Sequence, residues 1–128
     1  MNLSGLLPLI ESLDAFKHLT AELHDCATTT TDVIESARAP MLAALSRGLS
    51  APIVVLTSRS DRAKQIASEL NVWSPNSANV FDFPDPDPLF YERIPWSAET
   101  LAARLSALAA LAQNPAPIIV TTVRAVMQ

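Results

Sequence analysis

Four carboxylates, Asp82, Asp85, Asp87 and Glu92, crowd one short stretch of this chain. Convergent acids could hold a divalent cation or divide proton donation and acceptance between them. Pro84, Pro86 and Pro88 alternate with these acids, however, and favour an extended course that spreads the carboxylates. Neither a metal centre nor an acid–base pair is expected. His18 and His24 are six apart, which does not bring both to one helix face, and no cysteine pair joins them. Ser58-Arg-Ser-Asp61 stands at a strand-to-helix turn, where α/β proteins bind ligands, but its residue types suit a helix cap, the role expected here.

A second candidate is Asp32-Val-Ile-Glu-Ser-Ala-Arg-Ala39, placed between a possible strand and a helix, where a phosphate-binding loop would lie. Such a loop needs glycines so that backbone N–H groups reach the phosphates, a lysine for their charge and a hydroxyl for magnesium. No glycine is present in the segment. Glu35 opposes binding outright: a carboxylate ~5 Å from one phosphate charge costs roughly 3 kcal/mol at an effective dielectric near 20. A helix start capped by Ser36 and Glu35 is the expected structure, and no nucleotide or metal is assigned to the chain.

The elements that would position these residues follow from periodicity. Residues 3–23 read as two short helices, with Leu6, Leu7, Leu9 and Ile10 in the first and Phe16, Leu19 and Leu23 in the second, Asp14 capping the latter. Thr28–Thr31 could form a strand. A helix is predicted from about Ala37 to Arg47, turning Met41, Leu42 and Leu45 inward and ended by Gly48. Ile53–Leu56 is a continuous apolar run, the pattern of a strand buried on both faces. Ser60 or Asp61 opens the next helix, with Ala63, Ile66, Ala67 and Leu70 buried. Val80–Phe83 is a third strand. Ser97 caps a helix whose Leu101, Leu105 and Leu108 should face the core; Asn114-Pro115 ends it, and Ile118–Thr121 is the last strand. Alternating strands and helices imply a three-layer α/β fold, a parallel sheet of three to four strands with flanking helices. The closing residues, Thr122–Gln128, begin a helix too short to stand alone, so the chain reads as a segment of a larger protein.

With 128 residues, 49% of them hydrophobic, the chain can build one core and is not a disordered tail. A net charge of −4 and a pI near 5.0, with no cluster of Lys or Arg, argue against an autonomous nucleic-acid grip. Cys26 stands alone, which excludes an intrachain disulfide, fits a reducing cytoplasm and suits a small buried residue. Pro8 interrupts the short apolar run at the N-terminus, and no basic segment precedes it. Neither a signal peptide nor a membrane span is read there.

The most specific stretch runs from Phe83 to Leu108, where a Pro/Asp loop carrying Phe90, Tyr91 and Trp96 joins the capped helix. Three large rings are unusual for a solvated linker, so the loop is expected to pack against something. Phe83, Pro84, Asp85, Leu89, Tyr91 and Glu92 fit the pattern F-P-D-x-x-x-L-x-Y-D/E, and Arg104, Leu105 and Leu108 fit the R-L-x-x-L that follows. This resembles the signature of the N-terminal, UvrB-like module of bacterial transcription-repair coupling factors, the Mfd family. Pro86 stands where that family usually has Trp, and Phe90 where it has Pro. The blocks Leu6–Ile10, Ala15–Leu19, Ser50–Thr57 and Pro117–Gln128 extend the resemblance, in order, over nearly the whole chain.

The resemblance implies a P-loop-NTPase-like fold with a degenerate phosphate loop at Glu35, Ser36, Ala37, Arg38 and Ala39, with Arg38 at the lysine position and Ala39 at the threonine position. Residues 1–25 would be N-terminal helices and 26–128 the UvrB-like segment. It further implies a non-catalytic piece of an ATP-driven DNA translocase that displaces stalled RNA polymerase and recruits UvrA for nucleotide-excision repair. ATP and magnesium would belong to the parent's motor domains, and UvrA would bind mainly beyond Gln128. RNA polymerase and DNA would be met through the parent, in the cytoplasm and without a membrane. Two alternatives stand beside it: a helicase fragment with residual nucleotide binding, and a UvrB-like fragment that binds damaged DNA. Arg104 is expected to clamp the loop by reaching back to Asp85 or Glu92.

Overall fold

The computed structural model describes residues 1–25, 28–86 and 94–128; of Ser77 only the backbone is described. Cys26, Asp87, Pro88, Leu89, Phe90, Tyr91 and Glu92, singled out above, lie outside the described residues. The fold is α/β. Strands β1 (Ile53–Thr57), β2 (Val80–Phe83) and β3 (Ile118–Thr122) form a parallel sheet in the order β1-β3-β2, with Val80 and Ile53 both level with Ile118. Helices α1 (Leu7–Glu11), α2 (Asp14–His24), α3 (Glu35–Gly48), α4 (Ser60–Trp73), α5 (Ala98–Gln113) and α6 (Val123–Val126) complete it.

The chain leaves β1 through α4, crosses to the far edge as β2, and returns through α5 to fill the centre as β3. An outward and a return crossover of the same hand must lie on opposite faces of the sheet. Alternation along each strand then assigns the residues. Ile53, Val55, Val80, Ile118 and Val120 face α3 and α4, where Leu7, Ala39, Ala43, Ala44, Ala63, Ile66 and Leu70 close a continuous core. The small alanines of α3 let the helix approach closely. Leu7, from the N-terminal stretch, is fully buried in this same core, and the Leu3 N–H donates to the Val72 carbonyl at 2.8 Å.

Several sequence expectations change. Thr28–Thr31 forms no strand; four polar β-branched residues offer nothing to bury. The third helix begins two residues earlier than expected, at Glu35, and holds Pro40 inside it, buried, with no N–H to offer the Ser36 carbonyl. Gly48 is its last residue and adopts no left-handed turn; the chain simply extends at Leu49, at φ −100° and ψ 120°. Strand β1 is an edge rather than a centre, so Val54 and Leu56 remain 54% and 55% exposed. The strand buried throughout is β3.

The largest correction concerns α5. Its buried residues are Thr100, Arg104, Ala107 and Ala110, while Leu101, Leu105 and Leu108 face outward. Apolar periodicity alone cannot tell a face that meets its own sheet from one that meets something else. Here the small residues take the sheet side, which brings the helix close, and the leucines are displaced to the outer flank. Ser97 caps α5 as expected, its Oγ accepting from the Thr100 N–H at 3.1 Å, and Glu99 lies in the first turn.

Candidate functional site

The carboxyl ends of the strands gather most of the polar side chains singled out in the sequence. Beside β1, Thr31, Asp32, Arg38, Thr57, Ser58 and Arg62 surround a cavity of about 630 Å³ floored by Met41, Leu42, Val55 and Ile66. This is the position of the expected degenerate loop. Glu35 and Ser36 are exposed, Ala37 is half-buried, Arg38 is exposed on the cavity wall, and Ala39 is fully buried in the core. The α3 terminus is not capped as foreseen: its N-cap residue is Ile34, which makes no side-chain cap bond, and Glu35 forms an ion pair with Arg62 of α4. That pair places a carboxylate beside the Arg62 guanidinium at the cavity wall. Two cationic side chains are present, but Glu35 and Asp32 offset them.

The Ser58–Asp61 turn also differs from a simple cap. Arg59 holds the N-cap position with no side-chain bond to the helix N–H groups. Its Nε and Nη2 donate to Asp61 at 3.1 and 3.0 Å, and this bond, foremost, holds the Asp61 carboxyl below its usual range. The Ser60 hydroxyl turns away and donates to Asp85 at 2.7 Å.

Asp85 is the meeting point of three elements. It accepts from Ser60 at the start of α4 and from the Thr122 hydroxyl at the end of β3, while its own backbone continues from β2. Thr122 also accepts from the Ala125 N–H at 3.1 Å, capping α6. Asp82 and Asp85 line one cleft of about 210 Å³ with Lys64, so the prolines do not separate these two acids as expected. Asp85 lies beyond the end of β2, and its bonds to Ser60 and Thr122 bring it to the α4 side that Asp82 faces. Burial is the main influence that pushes the Asp82 carboxyl above its usual range; Lys64 opposes it and Asp85 adds to it. Among the described residues no group of three or more metal-ligating side chains converges.

On the opposite side of the sheet lies Arg104, 7% exposed. Its Nη1 donates to the Pro84 carbonyl at 3.0 Å and its Nη2 to the Ala125 carbonyl at 3.3 Å. The guanidinium carbon stands 4.0 Å from the centroid of the Phe83 ring and 4.7 Å from that of Trp96. Stacking on two rings, with carbonyls at its edge, gives this buried cation partners among the described residues that are not carboxylates. Of the two partners expected for Arg104, Glu92 lies outside the described residues, and on the Asp85 side the hydrogen bond goes to the neighbouring Pro84 carbonyl rather than to the Asp85 side chain. Desolvation lowers the Arg104 pKa and the nearby Asp85 charge raises it.

Phe83, Pro84, Asp85 and Arg104 are thus brought together, whereas Leu105 points away at 57% exposure. Sequence reasoning missed the cap made by Thr122 and the bond from Ser60 to Asp85. A signal existed for Thr122: a hydroxyl residue at the end of a strand and the start of a helix carries the composition of an N-cap.

What the geometry defines is an α/β unit with a three-stranded parallel sheet, whose strand ends are tied by Asp85 on one face and Arg104 on the other. No protein-family profile matches the sequence, and no curated protein is significantly similar to it. Among the described residues no helix is long and apolar enough to cross a membrane.

Proposed function

We propose that this chain is the non-catalytic first segment of the UvrB-like module of a transcription-repair coupling factor, a P-loop-NTPase-like unit whose phosphate loop is degenerate. The observation that carries the reading is the join between β2 and α5. The motif residues Phe83, Pro84 and Arg104, chosen from the sequence, form one half-buried contact in which the arginine stacks on the ring and bonds the carbonyl. A motif that fixes a loop by its own backbone gives those residue types a common structural task, and it is compatible with a scaffold role. The parallel α/β sheet and the order of the other sequence blocks support the same reading. The parent would work in the cytoplasm as an ATP-dependent translocase in nucleotide-excision repair, with its catalytic machinery elsewhere.

The test is a chimera in which this chain replaces the corresponding segment of a known coupling factor. Strand-specific repair should be retained, and a folded chimera that loses it would overturn the assignment. The cavity walled by Arg38 and Arg62 favours, as a second reading, residual nucleotide binding. Thermal melts with ATP and magnesium separate the two. Ligand at a hundred times its dissociation constant would add about 2.7 kcal/mol, and the scaffold reading requires no shift.

A further inference from the structure

The outer edge of the sheet is unpaired where a cavity meets it. In a parallel ladder alternate residues of a strand bond the same neighbour. The Ile53 N–H donates to the Pro117 carbonyl at 2.9 Å, so Ile53, Val55 and Thr57 turn their backbone groups to β3. Val54 and Leu56 turn theirs outward, with no strand beyond them among the described residues. Such edges are normally blunted by charge or proline, and Ile53–Thr57 holds neither. At this edge lies the cavity of about 630 Å³, lined by Val55, Leu56, Thr57 and Ser58 of the strand end and by Thr31, Asp32 and Val33 of the segment before α3. A few residues of peptide fit a space of that size.

We propose that this cavity takes the C-terminal tail of another polypeptide, added to β1 as a parallel strand. The inference stands apart from the coupling-factor reading. Three features of the one site specify the occupant. The outward N–H and carbonyl of Leu56 are the donor and acceptor that an extended backbone matches. Met41, Leu42, Val55 and Ile66 form an apolar floor, which suits an apolar side chain on every second residue of the tail. Arg38, exposed on the wall, has no ion pair or hydrogen bond among the described residues, whereas Arg62 is held by Glu35. One cation is thus left for one carboxylate, and a chain terminus brings that charge on the backbone itself. Asp32 lines the same cavity and disfavours a second acid, so a single carboxylate suits these walls better than a polyphosphate. The direction follows from the connection. Arg38 lies in the first turn of α3, and the last turn of α3 leads through residues 49–52 to the start of β1. The first turn therefore stands at the carboxyl end of the strand, near Ser58, and a carboxylate held there sets the tail parallel to β1.

Fluorescein-labelled hexapeptides ending in valine, leucine or phenylalanine with an unblocked carboxylate, titrated by anisotropy against the whole 128-residue chain, should bind with a Kd of about 10–100 µM. Amidation of the peptide terminus, or N-methylation of the amide that meets the Leu56 carbonyl, should weaken binding at least about tenfold. Arg38→Gln, at an exposed position, should do the same and leave the circular dichroism unchanged. Amide shifts on binding should fall on β1, α3 and residues 31–33. No binding of any of these peptides at about 1 mM overturns the proposal. So does binding that ignores both amidation and Arg38→Gln, or shifts confined to α5. ATP with magnesium that shifts the same amides while the peptides do not assigns the cavity to a nucleotide and overturns it too.

Discussion

Ile118 and Ile119 are neighbours in β3 and almost equally buried, yet they face opposite kinds of cover. Ile118 looks into a layer built from three helices, where Leu7, Ala43, Ile66 and Leu70 interlock with it. Ile119 looks into a layer that one helix only half covers, with a groove open beside it. The closed face is held by apolar packing. The open face is held by a buried arginine bridging Pro84 and Ala125, with alanines bringing α5 close. Parallel sheets are stable when both faces are covered, so the difference separates what stabilises the fold from what it presents outward.

Truncation should separate the two faces most strongly. Leu70 is fully buried in the closed face, and Leu70→Ala should cost about 2–5 kcal/mol by lost burial and the cavity left behind. Leu105→Ala, on the open flank, should change the stability of the monomer by less than about 0.5 kcal/mol. Urea denaturation at low protein concentration measures both. Equal losses would mean that the α5 leucines belong to the core after all, and the contrast between faces would fail.

That contrast also shows what could be read from the sequence. The alternation of strands and helices, the buried stripe of α4 and the Ser97 cap are local patterns, and local patterns determine them. The placement of β1 at an edge is not local: it depends on β3 returning between β1 and β2, so an apolar run such as Ile53–Leu56 reads the same in either position. Likewise the leucines of α5 outrank its alanines by hydrophobicity, but close approach to a sheet favours the smaller side chains. At the strand ends, Arg104 was legible as a clamp because its motif sets it two helix turns beyond the cap. Its partner was not, because a backbone carbonyl carries no sequence signature.

Arg104 offers the next test. Arg104→Ala would remove the stack on Phe83 and Trp96 and leave the Pro84 and Ala125 carbonyls without this donor, at a cost of about 2–3 kcal/mol. Arg104→Lys keeps a charge but loses the planar fork that reaches both carbonyls while lying between the rings, so it should recover only part of the loss. Chemical denaturation of the two variants decides it. Full recovery by lysine would show that charge alone is needed, and the open face would then depend on electrostatics rather than on a shaped contact.

The smallest effect is expected at Asp82, where the closed face admits an acid. Burial raises its folded-state pKa above the unfolded value, so between those two values the folded protein binds more protons than the unfolded chain. The slope of unfolding free energy with pH is therefore negative in that window: this group costs stability as pH rises through it, and the cost is complete above the folded pKa. Asp82→Asn removes the titration while keeping the shape. The variant should gain on the wild type as pH is raised from the ordinary aspartate range to neutrality, by a small amount because Lys64 offsets part of the burial. Paired denaturation curves across that range give the difference directly. A gap that narrows with rising pH would mean that Lys64 outweighs burial and that the Asp82 carboxylate stabilises the cleft it shares with Asp85, making this corner of the closed face as dependent on charge as the Arg104 contact opposite.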